Sequence, residues 1–187
     1  MDAFNYLSVL ISLILGLAIT QVLKGFRGLM QARTRLRSYW PPVLWAVLVM
    51  VISVQSWWAM FGLRNHTDWT FLQFSVVLAQ TIVLYLQAAL VLPDFFGDAP
   101  VDLREHYYGQ QHWFFVLLTL LIVISLAKQL IIDGVLSDPV DLGFHALFAA
   151  AGISGAVIRN PRYHEFLAVF AALAIGAYIA LLFTHLR

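Results

Sequence analysis

Apolar residues in this chain run on for lengths that match a membrane crossing, about 20 residues each, and polar or helix-breaking residues fall between the runs. The first run, Phe4 to Leu23, follows Met1-Asp2 with no basic segment ahead of it. It ends at Lys24-Gly25-Phe26-Arg27 with no small-residue cleavage site, which predicts a retained helix rather than a signal peptide. Pro41-Pro42 open the second run, since a first-turn proline sacrifices no needed hydrogen bond. Thr67-Asp68 read as the cap of a third that stops at Pro93. A fourth covers Trp113 to Ile132, a fifth starts at Ser137-Asp138-Pro139 and ends before Asn160-Pro161, and a sixth covers Phe166 to Phe183. The pattern predicts an all-α polytopic membrane protein: one domain over 1–187, a compact bundle of six spans at about 4–23, 42–63, 69–92, 113–132, 140–158 and 166–183.

Composition agrees with lipid as the solvent. Hydrophobic residues make up 61% of the chain and charged ones 11%, against about 45–50% and about 25% in soluble domains. The net charge of +1 carries no nucleic-acid signature. With no cysteine, disulfides, thiolate zinc sites, cysteine-ligated clusters and cysteine nucleophiles are excluded.

The few charges predict an orientation. Lys24, Arg27, Arg33, Arg35 and Arg37 lie between the first two runs, while only Arg64 lies in the next connection. The positive-inside rule then places 24–40, 93–112 with Arg104, and 159–165 with Arg159 and Arg162 in the cytoplasm, with both termini outside. Lys128 falls near the outer end of the fourth span, within snorkelling reach of water. Tyr39, Trp40, Trp57, Trp58, Trp69, Tyr108, Trp113 and Tyr163 suit an aromatic belt. Segment 24–40 reads as a basic extension along the inner surface, where Arg33, Arg35 and Arg37 can meet anionic lipid headgroups. A likeness between Val9–Leu13 and Val116–Leu120 is too loose to establish an inverted repeat.

Two regular patterns lie inside the spans, one of small residues and one of glutamines. Small residues recur every fourth position as Ser8, Ser12, Gly16, Thr20 in the first and Ala168, Ala172, Gly176, Ala180 in the sixth. Ridges of this kind let helix backbones approach closely, so both spans are expected to have tight neighbours. The fifth adds Ala146, Ala150, Ser154 and Ala151, Gly155, while the fourth has almost none and is expected to be the most lipid-exposed. In the third, Gln73, Gln80 and Gln87 recur every seven residues, a drift of only about 20° per step. A primary amide alone in hydrocarbon is costly, so this face is expected to look into the bundle, across an oligomer interface, or into water. Gln21 with Thr20, and Gln55 with Ser53 and Ser56, are its expected partners.

The remaining candidates are weaker. His145 and His185 lie at matched depth for two axial haem ligands. Asp102 and His106 stand one helical turn apart, as two metal ligands can. The series Asp94, Asp98, Asp102, His106 is interrupted by Gly97 and Pro100, and 102–108 reads as a short interfacial helix. None of the ten acids sits deep in a span, where a proton-driven transporter commonly carries one. No nucleophilic triad, phosphate loop or metalloprotease motif is present.

Tyr6–Leu10 running into Gly16–Thr20, and Asp102-Leu103-Arg104 with Tyr107-Tyr108 and Trp113–Phe115, resemble a group of small multi-spanning bacterial membrane proteins of no known activity. The resemblance implies a bacterial inner membrane and nothing functional. The patterns favour a non-enzymatic structural or accessory subunit without cofactor or metal, associating with itself or a larger membrane complex. The alternatives are a small-solute or ion channel or transporter using the glutamine face, and a haem-binding redox protein. Whether a water-accessible cavity reaches Gln80 separates the first two.

Overall fold

The computed structural model describes residues 3–94, 100–136 and 138–182. Six helices dominate: α1 (Ala3–Gln31), α2 (Trp40–Ala59), α3 (Phe71–Val91), α4 (Leu103–Ile132), α5 (Pro139–Val157) and α6 (Pro161–Leu182). All six are long and apolar enough to cross a membrane. A 3-10 turn, Met60–Asn65, extends α2, and two short strands, β1 (Leu36–Arg37) and β2 (Val101–Asp102), pair in parallel.

The helices close into a ring in which α1 packs on α3, α3 on α4, α4 on α5, α5 on α6, α6 on α2 and α2 on α1. An additional contact between α2 and α3 crosses the ring. Lipid tails are as apolar as leucine, so van der Waals fit holds such a bundle rather than escape from water. The fit is closest at three glycines. A Cβ on Gly25 would lie 2.6 Å from the Leu92 side chain, one on Gly155 would lie 2.5 Å from the Phe115 ring, and one on Gly152 would strike Thr119. These contacts join α1 to α3 and α5 to α4.

The small-residue ridges are placed otherwise. On a helix of 3.6 residues per turn, each step of four advances about 40°, so a four-residue row wraps about a third of the circumference. In α1, Ser8 and Ser12 are half-buried while Gly16 and Thr20 face outward; Ile11, Leu15, Ala18 and Val22 take the inner face. In α6 the row starts buried at Ala168, is half-buried at Ala172, and emerges at Gly176 and Ala180. No side chain lies within 4 Å of a Cβ built on Gly16 or Gly176. Of the eight residues in these two rows, only Ala168 is fully inside. In α5, Ala151 and Gly155 are buried but Ala146 and Ala150 are exposed.

Several boundaries also differ from the sequence pattern. α1 continues through its basic segment to Gln31, so only a short turn and β1 lie between α1 and α2. The α3 cap is Thr70: its hydroxyl accepts from the Gln73 amide at 3.2 Å, and the Gln73 side chain accepts from the Thr70 amide at 2.9 Å. The expected separate helix over 102–108 is the first two turns of α4, capped by the Asp102 carboxylate on the amides of Arg104 and Glu105. Asn160-Pro161 starts α6 as well as following α5, since the Asn160 side chain accepts from the Arg162 amide at 3.0 Å. α4 has the smallest buried share of the six apolar stretches, as expected from its lack of small residues, yet it is wedged between α3 and α5.

Candidate functional site

A cavity of about 340 Å³ opens inside the ring at the end where α4 passes to α5. Every helix contributes: Leu15 from α1, Gln55 from α2, Gln80 from α3, Lys128 from α4, Asp141 from α5 and Tyr178 from α6. Its rim includes Asp133 and Asp138, both exposed. A smaller inner chamber of about 90 Å³ shares Gln55, Ser56, Gln80, Ser125 and Tyr178 with it and continues to His145 and Trp45. Trp45, only 1% exposed, packs edge-on against Phe114 and Phe115 at ring separations of 5.5 and 5.3 Å and forms the floor.

One wall is a hydrogen-bonded polar cluster. The Asp141 carboxylate accepts from Gln129 Nε2 at 2.8 Å and from the Tyr178 hydroxyl at 3.0 Å, and one oxygen lies 3.4 Å from His145 Nδ1. Asp141 is 6% exposed and His145 5%. The spacing of four residues puts both on one face of the first turns of α5. His145 Nδ1 is 2.9 Å from the Asp141 carbonyl, which only accepts, so Nδ1 carries a proton. In the neutral ring Nε2 then accepts from the Ser125 hydroxyl at 3.1 Å. The Lys128 ammonium, half-buried beside this wall, makes no hydrogen bond or ion pair among the described residues.

The glutamine face has three different fates. Gln73 caps α3 and reaches the Ile131 carbonyl of α4 at 3.4 Å. Gln80 lines both chambers with Gln55 and Ser56. Gln87 is fully buried, and neither amide atom has a partner among the described residues. Of the expected partners, Gln21 donates instead to the Tyr85 hydroxyl at 3.2 Å, Thr20 to the Gly16 carbonyl at 2.8 Å, and Ser53 to the Val49 carbonyl at 2.8 Å.

The opposite end is packed with aromatic side chains. Buried His164 donates from Nε2 to the Ile158 carbonyl at 2.7 Å and accepts at Nδ1 from the Tyr107 hydroxyl at 2.8 Å. Tyr107, Tyr108, Phe115 and Tyr163 surround its ring at 5.4 to 5.7 Å. Tyr39 shares a hydrogen bond with Tyr108 at 3.3 Å; burial first, and then that bond, push the Tyr39 phenol well above its ordinary pKa and keep it neutral. Gln111 clamps α4 to the end of α5 through the Gly155 and Ile158 carbonyls.

The other expected residues are dispersed. Arg33 is exposed; the Arg35 carbonyl accepts from the Val101 amide at 3.2 Å; Arg37 lies 3.8 Å from Asp102 with its side chain 82% exposed. His106 is turned toward the Leu90 carbonyl at 3.1 Å while Asp102 caps α4, so the two do not converge. His185, Gly97 and Asp98 lie outside the described residues. No group of three metal-ligating side chains occurs among the described residues. The sequence reading missed Asp141, Tyr178 and Gln129. The available signal was Asp141 four residues before His145 on the inner face of a span.

Comparison with protein-family models, curated proteins and solved structures finds no match to this chain.

Proposed function

We propose that this is a membrane-embedded binding protein of the carrier type for a small polar solute, held in the cavity between Gln80 and the Asp141 cluster. The observation that carries the reading is the cavity itself: it reaches Gln80, takes side chains from all six helices, and is lined by Lys128, the Asp141 carboxylate and the amides of Gln55, Gln80 and Gln129. Ionisable groups inside a span are expensive and mark ligand or ion paths. A protein built only to pack would fill such a space, because van der Waals fit is its main source of cohesion. The distribution of basic residues supports a multi-pass membrane protein with both termini outside the cytoplasm, and the family resemblance implies a bacterial inner membrane; on that orientation the cavity opens away from the cytoplasm.

The cysteine-free sequence gives a direct test. In intact cells, Gln80→Cys should react with a small, membrane-impermeant methanethiosulfonate at least about tenfold faster than Gln87→Cys, since only the thiolate exposed to water reacts readily. Equal, slow labelling at both positions would overturn the proposal.

A second reading, a structural or accessory subunit, is supported by the outward faces of Gly16 with Thr20 and Gly176 with Ala180. Surfaces this shallow suit a second copy or another membrane helix. Purification in mild detergent as a monomer without partners would count against it.

A further inference from the structure

Resting on the pocket reading above, we infer that the ligand is a small aliphatic zwitterion of amino-acid size, its carboxylate on Lys128, its ammonium toward Asp133 and Asp138, and its apolar tail in the inner chamber. The charges of the outer chamber are of both signs and are unequally committed. Asp141 is engaged by Gln129, Tyr178 and His145, so its charge is already answered from within the protein. Lys128 shares the cavity without a hydrogen bond or ion pair among the described residues, and Asp133 and Asp138 stand at the rim.

A simple anion would meet Lys128 but also the acidic rim. A simple amine would meet the rim but be repelled by Lys128, whose charge Asp133 and Asp141 offset only in part. Specificity arises from such penalties as much as from attraction, and a molecule carrying both charges a few ångströms apart avoids both. The inner chamber adds a size and polarity limit. Leu118, Phe148, Ala151 and Ile175 give it a largely apolar wall, and its volume of about 90 Å³ admits a branched side group of a few carbons. The outer chamber, about 340 Å³, falls in the range of small-molecule sites, roughly 300–1,000 Å³.

The experiment is equilibrium binding of radiolabelled leucine to the purified full chain, in competition with its two half-molecules, 4-methylpentanoate and 3-methylbutylamine. Leucine should bind saturably, with each half-molecule at least about tenfold weaker, the loss expected when one charged contact is missing. Lys128→Met should weaken leucine binding by about tenfold or more and Lys128→Arg by less than about threefold, the conservative pair guarding against a folding defect. Absence of leucine binding, or a half-molecule competing as well as leucine, overturns the inference. If Gln80→Cys is labelled but leucine does not bind, the zwitterion assignment falls alone. An unlabelled Gln80→Cys removes the pocket reading with it.

Discussion

The two ends of the bundle each bury a histidine, and each treats it differently. At the packed end His164 is enclosed by four aromatic rings and fixed with its proton on Nε2, because the Ile158 carbonyl only accepts. At the cavity end His145 is fixed with its proton on Nδ1 by the Asp141 carbonyl, and Nε2 turns to Ser125 beside the inner chamber. Burial alone therefore does not distinguish a histidine in a packed core from one beside a cavity. The neighbours decide: aromatic rings fill the space around one, and a hydrogen-bonded carboxylate and water-sized space border the other.

The largest effect should come from removing the group that organises the cavity end. Asp141→Ala leaves the Gln129 and Tyr178 donors without their acceptor, while His145 keeps the backbone carbonyl of residue 141, and should cost about 2–6 kcal/mol of stability, about 1–3 for each buried donor left unpaired. A denaturation midpoint in mild detergent within error of the parent would break the comparison. At the packed end, Tyr107→Phe removes a single neutral donor from His164 and should cost less, about 1–3 kcal/mol. A loss exceeding that of Asp141→Ala would mean that the two ends carry their polar burial in the reverse order. The smallest and opposite change is expected between them, at Gln87. Its amide is buried without a partner among the described residues, so Gln87→Met, similar in length and free of the desolvation penalty, should stabilise by about 1 kcal/mol. A destabilised Gln87→Met would reveal a partner for that amide and sharpen the contrast with Gln80.

The number of spans and the inward glutamine face were legible in the sequence because both follow from regular spacing. A run of about 20 apolar residues has one favourable environment, and a seven-residue repeat drifts little enough to keep Gln73, Gln80 and Gln87 on one side. The ridges misled because a four-residue repeat drifts twice as far, carrying Gly16 and Gly176 off the inner face. The site was mostly illegible for a different reason. Asp141 looks like an ordinary first-turn acid at a helix N-terminus; what makes it unusual is Gln129 arriving from α4 and Tyr178 from α6, 12 and 37 residues away. Such convergence is a property of the ring, not of any window of sequence. Likewise, the reading of 102–108 as a separate short helix failed because Asp102 caps a helix that simply continues into the apolar run.

The pairing of β1 with β2 gives the two ends different mechanical roles. Leu36 and Arg37 are laced to Val101 and Asp102, so the α1–α2 connection and the start of α4 are held together beside the aromatic end. A clasp placed there acts as a fulcrum: when helices tilt against one another, displacement is least at the clasp and grows along their length. The cavity lies at the far ends of those helices, so any tilt about the clasp would change the width of the mouth more than the spacing of the aromatic end.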